Sequence, residues 1–268
     1  MSAAPMLPVR LWRSRSLVRQ LVRREILARY RGSMGGVAWS LVTPVMMLAI
    51  YTYVFSVIFR VRWGSMAVSR VDFAVLLFSG LLVYNIFAEC AITAPRLVTD
   101  NPNYVKKVVF PLEFLSIVAV ASALFHFLVG FSVLVAFSLF VYGTLPWTVV
   151  LAPLAVLPAV LVALGASWLF ASLGVFLQDL RHFVALLTSA LLFLSPIFYP
   201  LGAVPEEFRP LVRLNPLSLA IEHMREAAIF GRVPSATEWV ANLAFGLAFA
   251  AAGYWWFQRT RREFADLV

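Results

Sequence analysis

The chain has 268 residues, 62% of them hydrophobic and only 13% charged, with a formal net charge of +9. Soluble domains run at about 45–50% apolar and about 25% charged, so a soluble enzyme is excluded and lipid is the main solvent. A single cysteine, Cys90, excludes a disulfide framework and a multi-cysteine zinc or iron–sulfur site, and three scattered histidines argue against a histidine metal cluster.

Residues 10–31 read as a basic amphipathic helix in the membrane interface. Leu17, Val18, Leu21, Val22 and Ala28 share one face, and Arg15, Arg19 and Arg23 recur beside it at i+4. Such helices bind anionic headgroups; the plainer alternative is a juxtamembrane anchor. Eight arginines precede the first apolar run, which argues against a signal peptide. Three glycines between Gly32 and Gly36 then end the helix.

A helix needs about 20 mostly apolar residues to cross about 30 Å of hydrocarbon. Six runs are assigned as spans: residues 37–59, 73–94, 114–141, 149–177, a short one at 184–199 closed by Pro196 and Pro200, and 239–257. With both termini inside, 15 Lys/Arg fall on the cytoplasmic side and 7 outside. The positive-inside rule therefore places both termini in the cytoplasm. The basic charges flank spans, so they set topology and do not form a nucleic-acid surface.

Between spans two and three, Asn101 and Pro102 signal a helix start, cap then first position. A short cytoplasmic helix over 102–107 would end in Lys106 and Lys107, suited to docking a partner or to an ordinary structured turn. Between spans five and six, Pro205 opens a short helix to about residue 214. A second helix carries Leu217, Ile221, Met224 and Ala228 on one face and Glu222, Arg225 and Glu226 opposite. Asn215 caps it, Pro216 takes its first position and Gly231 stops it. The pair reads as a hairpin re-entering the outer leaflet, or as a cap resting on the membrane.

Within the spans the acid and base side chains are Glu89 and His126, on different helices. Glu89 is read as snorkelling or making a helix–helix hydrogen bond, and His126 as a packing polar group. No GxxxxGK[ST] loop occurs, so this chain is not expected to hydrolyse ATP. Tyr51, Phe55 and Phe59 form one stripe at i, i+4 and i+8. Such a stripe packs helices, or stacks on sugar rings without fixing a register. Tyr254, Trp255, Trp256 and Phe257, before Arg259, Arg261 and Arg262, read as an interfacial aromatic belt.

Three separated stretches carry a resemblance. Ala28-Arg29-Tyr30-Arg31-Gly32-Ser33 with Gly36, Trp39-Ser40, Pro44 and the run from Tyr51 to Phe59 form the first. Val105-Lys106-Lys107-Val108-Val109-Phe110-Pro111 is the second. Ser195-Pro196-Ile197-Phe198-Tyr199-Pro200, Val204-Pro205 and Leu214-Asn215-Pro216-Leu217 form the third. Together they resemble ABC-2 type permeases of polysaccharide exporters, the Wzm-like O-antigen subfamily above all.

The resemblance implies an all-α integral membrane protein of the bacterial inner membrane: six spans, an N-terminal interface helix and a re-entrant external hairpin. It divides into a cytoplasmic N-terminus (1–36), the transmembrane domain (37–257) and a tail (258–268). It also implies a homodimer on two copies of a separate ATPase, which alone binds ATP and magnesium; this chain holds no cofactor and catalyses nothing. Asn101, Pro102, Asn103, Tyr104, Lys106 and Lys107 resemble the helix that docks on that ATPase. Gln178, Asp179 and Arg181 resemble a second contact, although many relatives have Arg in place of Gln178. The substrate class is a lipid-linked polysaccharide passing along the dimer axis, with Tyr51, Phe55 and Phe59 assigned to the lining. Teichoic acid, another glycolipid or a drug are the alternative cargoes, and an ATP-independent carrier is the alternative mechanism.

Overall fold

The computed structural model describes residues 7–54, 70–105 and 110–267, which form helices, turns and no strand. In chain order the α-helices are α1 (Leu7–Arg13), α2 (Arg15–Arg29), α3 (Trp39–Tyr53), α4 (Arg70–Thr93), α5 (Pro102–Val105), α6 (Glu113–Tyr142) and α7 (Ala152–Ala155). Then come α8 (Leu157–Phe176), α9 (Leu180–Leu194), α10 (Arg209–Leu214), α11 (Pro216–Ala228), α12 (Ala236–Thr260) and α13 (Phe264–Leu267). The expected N-terminal helix is broken at Ser14 into α1 and α2.

Among the described residues five segments are long and apolar enough to cross a membrane: Gly36–Tyr53, Val71–Arg96, Glu113–Tyr142, Trp147–Phe176 and Ala236–Glu263. The fifth expected span, read as short, is the 15-residue helix α9, which starts at Leu180, ahead of the expected run. It stops at Leu194, where Ser195 is extended and Pro196 begins a turn, and at 1.5 Å per residue its length is about 22 Å. That falls short of the hydrocarbon core.

α4 is the hub. It is apolar on most sides, the pattern of a helix surrounded by others, and it packs on α3, α6, α8, α9 and α11. Val75, Leu77, Val83, Ile86 and Cys90 are all buried. The tightest pair is α8 with α12. A Cβ on Gly253 would stand 2.3 Å from the Gly165 carbonyl oxygen, and one on Gly165 would stand 2.8 Å from that of Phe249. Only small residues allow two backbones so near, and in lipid that contact drives helix association.

Two polar cross-links tie α4 to α6. Tyr142 donates to Asp72 near one end, and His126 pairs with Glu89 near the other. They are about 25 Å apart along the axes.

The aromatic cluster on α12 is divided by the packing. Phe257 is buried against Phe264 and Tyr254 lies against Trp168, while Trp255 and Trp256 face outward. Four consecutive residues on a helix cannot share one face.

Candidate functional site

α3, α4 and α6 enclose a cavity of about 650 Å³ that reaches the C-terminal end of α2. Pro44, Met47, Tyr51, Phe78, Leu81 and Phe127 form its apolar wall. Its polar stripe comes from α4, where Asn85, Glu89 and Thr93 recur at i, i+4 and i+8 on one face. Asn85 is exposed in a stretch of α4 that is otherwise mostly buried. A polar side chain left open there points to a wet surface.

Arg29, at the last turn of α2, closes one end of the cavity. Its guanidinium donates to Glu89 and lies 2.7 Å from His126 Nδ1, which is itself 3.0 Å from the Glu89 carboxylate. Tyr30 stands edge-on to the His126 ring. One cation and one anion nearly cancel, so the triad lies beside an apolar wall at low electrostatic cost. Glu89 and His126 therefore do make a helix–helix hydrogen bond, with a third partner on the interface helix that periodicity did not supply.

The end of the bundle that holds Glu113 gathers both termini and two loops. Glu113, fully buried, pairs with Arg10 of α1 at 2.6 Å and with Arg261 after α12 at 3.2 Å. The backbone after α4 packs so closely on α8 that a Cβ at Gly174 would overlap Pro95. Both expected coupling segments accordingly hang from this end. In the first, Pro102 opens α5 as expected, but the Asn101 side chain donates back to the Leu97 carbonyl at 3.0 Å and does not cap the helix. Asn103 is exposed. Tyr104 accepts from Arg24 of α2 at 2.8 Å and stacks on Phe110 with ring centres 4.2 Å apart. Lys106 and Lys107 lie outside the described residues, as do Phe55 and Phe59 of the aromatic stripe. In the second segment Gln178, Asp179 and Arg181 are all exposed, and Arg181 donates to His182.

At the opposite end the hairpin helices differ from each other. α10 is largely exposed and begins only at Arg209, with Pro205 in the turn before it. α11 is buried on nearly every side, against α4, α7, α8 and α12. Asn215 caps it by accepting from the Leu217 amide at 3.0 Å, Pro216 holds the first position, and Gly231 turns the chain beyond its end with φ +66°. The two-faced reading fails at Arg225. Placed on the polar face by sequence, it is fully buried and donates to the carbonyls of Leu76, Pro196 and Ile197 and to Glu222. Helical spacing assigns a face, but it cannot show that the solvent side of that face is occupied by another part of the chain.

Residues 16–229, most of the chain, match the family described as ABC-2 type transporter. This chain belongs to that family. Among relatives of this ABC-2 chain is the O-antigen export system permease protein RfbA of Klebsiella pneumoniae, 29% identical over 92% of this chain and 93% of that protein. The protein of the same description from Myxococcus xanthus is 28% identical over 96% and 97%. The polysialic acid transport protein KpsM of Escherichia coli is 23% identical over 81% and 82%. Sequence reasoning on this ABC-2 chain missed Arg29, Asn85 and Arg225. The polar stripe of Asn85, Glu89 and Thr93 was legible in an apolar helix; the partners of Arg29 and Arg225 are long-range and were not.

Proposed function

We propose that this chain is the membrane subunit of an ATP-driven exporter that moves a lipid-linked polysaccharide of O-antigen type across the bacterial inner membrane. The observation that carries this reading is the end-to-end likeness to O-antigen export permeases. In this reading two copies pair on two copies of a separate ATPase, which binds ATP and magnesium, and the chain itself catalyses nothing. Both termini are cytoplasmic. Residues 1–36 form the cytoplasmic segment with the interface helix, 37–257 the membrane domain and 258–268 the tail. α9 with the residues after it makes the fifth of six crossings, and α10 and α11 form the re-entrant hairpin. Burial of α11 supports that hairpin, because non-regular backbone at depth survives only where protein or water covers it.

The glycan path runs past the cavity of Tyr51 and Asn85, with Phe55 and Phe59 continuing the lining. Aromatic faces hold sugar rings without a fixed hydrogen-bond register, which lets a long chain slide. Changing Tyr51, Phe55 and Phe59 together to Ala is expected to slow export several-fold while ATPase binding is unchanged. Export at the wild-type rate in a surface-glycan assay would reject the lining assignment.

Coupling is mechanical. ATP binding closes the ATPase pair and displaces α5 with the Gln178–Arg181 loop. The Tyr104–Arg24 hydrogen bond passes the shift to α2, whose Arg29 holds Glu89 and His126 at the cavity. Lys106→Glu with Lys107→Glu is expected to abolish the permease's stimulation of ATP hydrolysis, and intact stimulation would reject the docking role. Tyr104→Phe removes one hydrogen bond worth about 0.5–1.5 kcal/mol and keeps the stacked ring. It is expected to lower export about three- to tenfold at unchanged complex yield.

The decisive test is a mild-detergent pull-down of the tagged chain with its partners counted. A two-plus-two complex with an ATP-binding subunit supports the exporter. A chain that purifies alone and transports without ATP overturns it. The likeness to KpsM favours one second reading, in which the cargo is a polysialic acid-like glycan. The lipid-linked glycan that accumulates when the gene is deleted distinguishes the two.

A further inference from the structure

The face of α2 that carries Arg19 and Arg23 overhangs a groove of about 430 Å³. Its walls are Val22, Ile26 and Leu27 of α2, Val37 ahead of α3, and Phe125 of α6. Leu27 and Val37 are exposed there, although both are apolar. No carboxylate lines the groove, and Glu25 of α2 lies about 120° around the helix from Arg19. Among the described residues neither Arg19 nor Arg23 has an ion pair or a side-chain hydrogen bond. Two free guanidiniums one helical turn apart thus crown a dry apolar slot.

The direction of the slot follows from two ion pairs. Arg10 meets Glu113 and Arg29 meets the pair at His126, so the helices α1 and α2 climb beside α6 over about 20 Å of its length. Arg19 and Arg23 therefore lie nearer the Glu113 end than Ile26 and Leu27 do. Ile26, Leu27 and Phe125 lie farther along, at the level of His126.

We infer that this groove seats one anionic phospholipid from the leaflet facing the two termini. Its phosphate lies between Arg19 and Arg23, where guanidinium forks match phosphate oxygens, and one acyl chain lies along Val22, Ile26, Leu27, Val37 and Phe125. The walls offer no hydrogen-bonding side chain to a sugar, which sets this groove apart from the cavity on the His126 side. The bound lipid wedges α2 against α6 and α3, and so holds in place the helix that carries Arg24 and Arg29.

The test uses the full-length chain, expressed in a host that makes no lipid-linked glycan and stripped by exhaustive detergent exchange. Phosphatidylglycerol or phosphatidylcholine is then added back and bound lipid is counted by mass spectrometry. Phosphatidylglycerol is expected to bind near one per chain and phosphatidylcholine far more weakly. The double variant Arg19→Gln, Arg23→Gln is expected to bind phosphatidylglycerol about thirtyfold less well, the factor for two arginines near an anionic headgroup. Phe125→Trp, which fills the apolar end and keeps both arginines, is expected to lose it too, and carries the test should the double variant not fold. Arg213→Gln, exposed on α10 at the opposite end of the bundle, is expected to retain it. Equal binding of the two lipids, or undiminished phosphatidylglycerol binding in both groove variants, would overturn the seat. So would displacement of phosphatidylglycerol by a lipid-linked diphosphate added at equal concentration, which would make the groove a substrate site. None of these readouts depends on ATP or on export.

Discussion

Arg225→Ala is expected to produce the largest loss of stability of any single substitution considered. The guanidinium is fully buried and gives two hydrogen bonds of 3.1 Å to the Leu76 carbonyl, one of 2.6 Å to Pro196, one of 2.9 Å to Ile197 and one of 3.0 Å to Glu222. Pro196 and Ile197 belong to the turn after α9, whose carbonyls have left the helical ladder and need donors. Gly80 makes the seat, since a Cβ there would stand 2.9 Å from the guanidinium. Removing one partner from such a buried charged network costs about 3–5 kcal/mol, a large part of the roughly 5–15 kcal/mol that holds a typical protein folded. The purified variant should melt well below wild type, with loss of export. Arg225→Lys should recover only part, because an ammonium cannot fork across three carbonyls. Arg213→Ala, an exposed arginine on α10, should change nothing. An unchanged melting temperature for Arg225→Ala would remove the residue from any role in pinning the hairpin.

Gly253→Leu is the second large effect. The nearest atom to its new Cβ, at 2.3 Å, is the backbone oxygen of Gly165, which moves only if helix α8 moves. Overpacking a well-packed core costs about 1–3 kcal/mol, and here the clash lies between the backbones of α8 and α12. α8 and α12 must separate, which pulls Thr260 from Ser172, now 2.6 Å apart, and loosens Phe264 from its seat between Phe257 and Phe176. The expected result is a lower melting temperature and, in the assembled complex, weaker stimulation of ATP hydrolysis. Ala252→Leu, on the outward face of the same turn, should melt like wild type. A Gly253→Leu protein with wild-type stability would show that the close approach contributes nothing.

Several features follow from the residues alone because their physics is local or additive. Apolar runs of about 20 residues must lie in lipid whatever they pack against. Asn215, Pro216 and Gly231 punctuate α11 through the backbone groups they cap, supply or release within a turn. The motifs around Arg29, Lys106 and Pro196 identified the ABC-2 family before any contact was known. The fifth span reads as short from the residues alone, and its helix, Leu180–Leu194, begins four residues before the apolar run and ends before Pro196.

What tertiary structure decided is where the polar groups go. Arg225 looked like a solvent-facing residue and is the centre of the hairpin. Asn101 looked like a cap and turns back to Leu97. Arg29, at the end of the interface helix, completes the Glu89–His126 pair, while Arg19 and Arg23 overhang an apolar groove. A hydrogen bond between residues 60, 97 or 149 positions apart leaves no periodic trace in a sequence. In a medium without water, however, each buried polar group must find such a partner. Composition and periodicity therefore determined that this chain lives in a membrane and which segments are helical, and the pairing of its few charges determined how those helices are held.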